Sequence, residues 1–291
     1  MANALQNSEL QIKLLSNISF DTIFEGFSMA FAEYEMQRDK AQLQTMLKRR
    51  GFNPDLSFAA FHGEKIVAFT LNGTGNYNGI STAYDTGTGT LKEYREQGLA
   101  TRIFEYSIPY LREAGLKQYL LEVLQHNTKA VSVYRNLGFE ITREFYYSSQ
   151  NNEEINNGKD FDPSYTVNPI NIEMLKSFTA FWDFVPSWQN SFDSIQRTAD
   201  DFIFLGVIID DRIAGYCAFE PVSGDITQIA VDKKYRRKGV ASLLLNEMIK
   251  LNKNSALKIV NSDILCDSIT GFIKAKNIEV KGKQFEMIRK I

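Results

Sequence analysis

Apolar residues along this chain recur with a period of two in some stretches and near 3.6 in others, and the succession of stretches runs through twice. In the first half, residues 57–61 and 65–69 read as strands flanking the turn His62-Gly63-Glu64. In the second, residues 202–209 and 212–219 flank Asp210-Asp211 in the same way. Leu99, Ile103, Phe104, Ile108 and Leu111 then fall at helical spacing, as do Val240, Leu244, Met248 and Leu251, so each hairpin is followed by a helix with one buried face. Pro109 sits inside the first of these helices and is expected to kink or weaken it. A short apolar strand follows in each half, at residues 119–124 and 257–260, and then another helix and a terminal strand. Helical segments around residues 20–50 and 172–196 precede the hairpins. One fold is written twice.

The clearest shift in composition is residues 148–169, rich in Asn, Ser, Asp and Glu and poor in aliphatics, which reads as a linker. On either side of it lie Tyr94-Arg95-Glu96-Gln97-Gly98-Leu99-Ala100 and Tyr235-Arg236-Arg237-Lys238-Gly239-Val240-Ala241, offset by 141 residues. The expected organisation is a domain over 1–150, a linker over 151–168 and a second domain over 169–291. Each Arg-x-x-Gly-x-Ala stands between a strand and a helix, where successive backbone N–H groups and a helix N-terminus can hold phosphate oxygens.

Composition narrows the function. With 44% hydrophobic and 23% charged residues in 291, the chain can fill a core in each half, which excludes disorder. A net charge of -2 leaves no electrostatic footprint for nucleic acid or an anionic membrane. Two cysteines, Cys217 and Cys266, make no disulfide framework, and two histidines, His62 and His126, supply no His-rich metal site. Residues 1–15 are polar and lack the apolar stretch of a signal peptide, and no run approaches the roughly 18 residues of a membrane helix. A cytoplasmic location is the default expectation, with no metal and no stated oligomeric state.

The two repeated loops resemble the acetyl-CoA pyrophosphate loop of the GCN5-related N-acetyltransferases (GNAT), Gln/Arg-x-x-Gly-x-Gly/Ala. The second half adds the lead-in Ile229-Ala230-Val231-Asp232-Lys233-Lys234-Tyr235, whereas the first has the glycine-rich, hydroxylic stretch Thr82-Ala83-Tyr84-Asp85-Thr86-Gly87-Thr88-Gly89-Thr90, whose regularity as a strand is in doubt. The resemblance implies an α/β fold of two tandem acyl-CoA N-acyltransferase domains, each a mixed, mostly antiparallel sheet flanked by helices. It implies acetyl-CoA as cosubstrate, held by Thr90, Arg95, Gln97, Gly98, Leu99, Ala100 and Asn127 in the first half, and by Val231, Arg236, Lys238, Gly239, Val240 and Ala241 in the second. Glu122, Asn127 and Tyr134 are similar in type and spacing to the distal motif of the ribosomal-protein N-terminal acetyltransferase branch, which implies Glu122 as general base and Tyr134 as general acid. The chemistry suits them, because an ammonium must lose a proton before attacking a thioester and the departing thiolate must gain one.

The activity expected is acetyl transfer to a primary amine, on a small molecule or a peptide, by direct attack. The thioester oxygen is expected to accept a backbone N–H near residues 88–91. The first domain is favoured as catalytic, because Ile273 stands where Tyr134 does and no carboxylate matches Glu122 around residues 258–261. The alternatives are catalysis in the second domain and a non-catalytic acyl-CoA-binding scaffold. His126 reads as a solvated loop residue and Cys266 as core. Phe31, Glu33, Tyr34, Glu35 and Asp39, ahead of the first hairpin, suit a cationic acceptor or an ordinary amphipathic helix equally.

Overall fold

A computed structural model describes residues 10–33, 37–158 and 161–291. They form two compact units. The first runs to Glu122 and takes in Lys129–Glu140 and Met287–Ile291; the second comprises Val123–Thr128 and Ile141–Glu286.

In the first unit β1 (Gln11–Leu14) is followed by α1 (Phe20–Ala30) and α2 (Lys40–Arg49). The hairpin of β2 (Phe58–His62) and β3 (Lys65–Tyr77) then leads into β4 (Ile80–Thr90). These strands lie in the order β1-β2-β3-β4, each antiparallel to the next, and β5 (Gln118–Leu124) joins β4 in parallel. Between β4 and β5 runs α3 (Leu99–Glu113), which stays one helix through Pro109. Its Leu99, Ile103, Phe104, Ile108 and Leu111 are buried, as the spacing predicts. α4 (Thr128–Asn136) starts after β5 and ends at Gly138, whose φ of 82° is the left-handed turn that terminates helices. The doubtful glycine-rich stretch is a regular strand with one bulge: Leu71 pairs with Gly87 but Asn72 pairs with Asp85, so Thr86 is the extra residue.

The second unit repeats the plan with shorter helices ahead of its hairpin. After β6 (Glu140–Asn151) come β7 (Thr166–Pro169), α5 (Ile172–Lys176) and α6 (Phe192–Arg197). Residues 172–196, expected to be helical, are thus two short α-helices joined by a stretch that carries two 3-10 turns. β8 (Ile203–Ile209) and β9 (Arg212–Glu220) form the second hairpin, closed by Asp210 and Asp211 at φ of 49° and 57°. β10 (Asp225–Val231), α7 (Val240–Leu251), β11 (Ala256–Asp263), α8 (Asp267–Ala275) and β12 (Glu279–Lys290) complete the chain. β10 carries a bulge at Thr227, 141 residues after Thr86, so the repeat seen in the sequence extends to strand irregularity.

β6 pairs antiparallel with β11 over residues 145–151, which places this strand in the second unit. The end of β12 belongs to the first unit, where Ile291 N–H donates to Lys117 O at 3.0 Å. Part of the expected linker is packed structure: Ile155 is buried in the second unit's core and Asn156 N–H donates to Lys276 O. Cys217 and Cys266 are both buried, and burial pushes the Cys217 thiol up to about 12. Among the described residues, no helix is long and apolar enough to cross a membrane.

Candidate active site

The two Arg-x-x-Gly loops fold alike. Glu96 and Gly98 have φ of 64° and 70°; Arg237 and Gly239 have 62° and 84°. Alternating left-handed residues turn successive N–H groups toward one concave side, and each glycine caps the helix that follows, α3 or α7, so the first-turn N–H groups point the same way. Apart from its own chain neighbours, no heavy atom lies within 4 Å of where a Cβ on Gly98 would stand. Both concavities fit a pyrophosphate.

The arginine that opens each loop is occupied in building it. Arg95 Nε donates to Thr90 O at 3.2 Å, its guanidinium donates to Ala30 O at 3.3 Å, and it pairs with Glu33 at 3.2 Å. Arg236 does the same through Val231 O at 3.1 Å, Phe181 O at 3.1 Å and Asp183 at 2.9 Å. Thr90 and Val231 therefore meet the loop through their carbonyls. Leu99 and Val240 are buried, so only their backbones are available to a ligand. Gln97 donates to Glu93 O, and the Lys238 ammonium lies 5.3 Å from the Tyr235 ring centre. Asn127 lies in the turn before α4, its N–H donating to Leu124 O.

The loops differ in charge. Positions 92–97 carry Lys92 and Arg95 against Glu93 and Glu96, whereas positions 233–238 carry Lys233, Lys234, Arg236, Arg237 and Lys238 with no carboxylate. Glu96 is further tied to Lys129 at 2.8 Å. The second loop is thus the more attractive to phosphate.

Beyond each loop the sheet opens. β4 and β5 pair at Thr82–Gln118, Ala83–Tyr119 and Tyr84–Leu120 and no further; β10 and β11 pair only at Asp225–Lys258. In the second unit a cavity of about 590 Å³ fills this opening, lined by Arg236 and Gly239 of the loop, Ile229 of β10, Val260 of β11 and Phe272 of α8. Its wall also includes Asn190, which sequence reasoning missed; Asn190 Nδ2 donates to Val260 O at 2.7 Å, and its backbone carbonyl accepts from Gln228 Nε2 at 2.6 Å. Nothing local distinguishes this asparagine in the sequence. Its position comes from the irregular stretch between α5 and α6.

In the first unit the opening holds two phenol–carboxylate pairs. Tyr84 OH donates to Glu122 Oε2 at 2.7 Å, and Tyr134 OH donates to Asp85 Oδ2 at 3.0 Å. Tyr84 and Asp85 are consecutive in β4 and so point to opposite faces. The two residues expected to act together, Glu122 and Tyr134, accordingly stand in separate pairs. Asp85 also accepts from Thr88 Oγ1 at 2.8 Å, and burial raises its carboxyl above the usual carboxylate range. Burial, with the Glu122 charge, also raises the Tyr84 phenol well above its ordinary value. Of the backbone donors expected near residues 88–91, Leu91 N–H is already bonded to Val67 O at 2.9 Å.

The acids ahead of the first hairpin have structural work. Glu33 pairs with Lys92 and Arg95, which hold its carboxyl below the usual range, and Asp39 caps α2. Tyr34 and Glu35 lie outside the described residues. His126 is exposed, and His62 Nδ1 lies 2.6 Å from the Tyr94 hydroxyl oxygen. No group of three or more His, Cys, Asp or Glu side chains arranged to hold a metal occurs among the described residues.

The model of the acetyltransferase (GNAT) family matches residues 20–139 and again 169–263, which together are most of the chain and bracket both loops. The chain belongs to this family. Among solved GNAT structures, a tandem protein from the clavulanic acid biosynthesis pathway superposes with a TM-score of 0.70 at 13% identity, over 97% of this chain and 98% of that one. A GCN5-related N-acetyltransferase from Sphaerobacter thermophilus gives 0.70 at 12% identity, over 97% and 95%. At these identities the likeness is one of fold. In sequence, the chain is 29% identical over 87 residues to N-alpha-acetyltransferase 30 of Schizosaccharomyces pombe, covering 30% of this chain and 58% of that protein. It is 29% identical over 94 residues to N-alpha-acetyltransferase MAK3 of Arabidopsis thaliana, covering 32% and 50%. The chain thus spans about half the length of the curated relatives it matches.

Proposed function

We propose that this protein transfers the acetyl group of acetyl-CoA to a primary amine by direct attack, and that the transfer takes place in the first unit. The observation that carries this reading is the Tyr134 hydroxyl, held by a shielded carboxylate beside the point where β4 and β5 part. A phenol can supply the proton that a departing thiolate needs, and the second unit has Ile273 in its stead, which supports the reading. The backbone amides of the loop and of the first turn of α3 hold the pyrophosphate, Gly98 allowing its close approach. Loss of the phenol in Tyr134→Phe is expected to lower turnover by about 10²-fold. Affinity for CoA, measured by calorimetry, is expected to stay unchanged. Full turnover in this variant with a good acceptor would refute the assignment.

A second reading rests on the cavity of the second unit. Its volume and the four cations of its loop other than Arg236 favour acetyl-CoA bound and used there, with water carrying the protons. The relatives' names point to an α-amine of a polypeptide as the acceptor class to be tried first, and release of CoA with a panel of unblocked peptides and small amines tests it. No release with any of them would leave acyl-CoA binding without transfer as the function.

A further inference from the structure

The opening in the sheet of the second unit is aliphatic where that of the first is ionisable. At the offset of 141 residues, Ile226 and Ile229 of β10 stand where β4 has Asp85 and Thr88. The cavity of about 590 Å³ in this opening reaches both faces of the sheet. Alternate residues of β9 define those faces: Cys217 and Phe219 pack with Leu244 of α7 and Ile273 of α8, whereas Tyr216 and Ala218 pack with Leu175 of α5 and Ile195 of α6. The cavity wall draws on both, with Val240, Ile259 and Phe272 from the first face and Phe181, Tyr216 and Ala230 from the second.

On the α5–α6 side the polar side chains are spent on one another. Trp182 Nε1 donates to Tyr216 OH at 2.6 Å, Tyr216 OH donates to Gln228 Oε1 at 2.9 Å, and Gln228 Nε2 donates to the Asn190 backbone carbonyl. Two carboxylates line the cavity. Asp183 is engaged by Arg236 at 2.9 Å and by Ser268 Oγ at 2.5 Å, and Asp267 opens α8, on the opposite face. A cationic amine on the α5–α6 side thus meets no unengaged carboxylate. What this side offers a ligand is the rings of Phe181, Trp182 and Tyr216 and the methyl group of Ala230.

We propose that the second unit binds an acyl-CoA whose acyl group is longer than acetyl, its pyrophosphate at the loop of Gly239 and its acyl chain on the α5–α6 side against Phe181, Trp182, Tyr216 and Ala230. This rests on the reading that the second unit binds CoA. The polarity of the cavity matches that ligand end for end. Backbone N–H groups and cations of the loop meet the phosphates, and an aromatic wall with its hydrogen bonds already made meets the hydrocarbon. Burying each added methylene against such a wall is favourable in proportion to the area removed from water. An acetyl group brings one methyl, and space left beside the rings forfeits dispersion contacts that a longer chain makes. The aliphatic Ile226 and Ile229 fit the same ligand, because neither handles a proton and both add apolar surface to the wall.

The test is calorimetry on the full-length chain carrying Gly98→Leu, in which binding reads the second unit, with CoA and its straight-chain thioesters of two, four and six carbons. Affinity is expected to rise by roughly threefold for each methylene added beyond acetyl, and by about 10-fold or more from acetyl-CoA to hexanoyl-CoA. Gly239→Leu is expected to show no such rise. Ala230→Phe, added to Gly98→Leu, fills the α5–α6 end and is expected to bring the ratio of hexanoyl-CoA to acetyl-CoA affinity down to about one. If that double variant does not fold, the series in Gly98→Leu and Gly239→Leu decides. Thioesters that bind no better as they lengthen, a rise that survives Ala230→Phe, or a rise as large in Gly239→Leu each overturn the proposal and leave CoA binding in the second unit standing. So does a preference for acetyl-CoA joined by binding of an apolar amine, which assigns the α5–α6 side to an acceptor. Failure of CoA and every thioester to bind Gly98→Leu overturns the reading beneath the proposal as well.

Discussion

Replacing the loop glycines by leucine is expected to abolish turnover in one variant and spare it in the other. A leucine at Gly98 or Gly239 occupies the space a pyrophosphate needs and denies it two or more N–H contacts of about 1.5–3 kcal/mol each. Affinity for CoA in the altered unit falls by about 10³-fold in consequence. The left-handed φ of 70° at Gly98 and 84° at Gly239 adds roughly 1–2 kcal/mol of strain for a residue with a Cβ, which is too little to unfold a unit of this size. Turnover with the best amine, measured side by side, locates the chemistry: Gly98→Leu is the variant expected to lose it. Calorimetry on the same proteins counts the CoA sites. If the four cations of the second loop other than Arg236 hold CoA, Gly98→Leu retains one binding event without catalysis, and that event weakens as salt is raised. Full turnover in Gly98→Leu, with loss in Gly239→Leu, would transfer the site to the cavity of the second unit.

The second large effect is one of stability. Glu286 of β12 is 2% exposed and takes two charge-assisted hydrogen bonds from Arg143 of β6, at 2.9 and 2.6 Å, and one from Thr142 at 2.8 Å. Arg143 also donates to Val185 O at 2.5 Å and lies over the Phe145 ring. Glu286→Ala takes the carboxylate from a guanidinium that is four-fifths buried and leaves it Val185 O, and breaking such a pair from one side costs about 3 kcal/mol. In a thermal scan this lowers Tm of the second unit by roughly 6–12 °C. Replacing both partners, as in Arg143→Met with Glu286→Leu, is expected to recover most of the loss, because two desolvated charges are removed together. A double variant as unstable as Glu286→Ala would show that the hydrogen bonds from Thr142 and to Val185 carry the stability and the ion pair does not.

Much of the site was legible because it is local. The left-handed turns at Gly98 and Gly239, the helices they cap and the buried faces of α3 and α7 follow from residue type and spacing within about fifteen residues, except that Leu251, expected on the buried face, is exposed at the end of α7. So does the repeat, whose offset of 141 residues reappears in the bulges at Thr86 and Thr227. Asp85 left a signal, a lone carboxylate in a glycine- and threonine-rich strand, but local pattern reads it as an irregularity of the strand. Its meaning depends on Tyr134, 49 residues on.

What the sequence by itself determined is the element order, the two Arg-x-x-Gly turns and the family. Tertiary structure alone decided four things: that β6 pairs with β11, that Glu122 and Tyr134 fall into separate pairs, that Arg95 and Arg236 spend their side chains on building the loops, and that the opening beside β10 holds a cavity. The reason is physical. Helix periodicity, turn chemistry and caps are set by neighbours along the chain, whereas strand partners and the surroundings of a carboxylate are set by groups tens of residues away, whose approach depends on the packing of the whole unit.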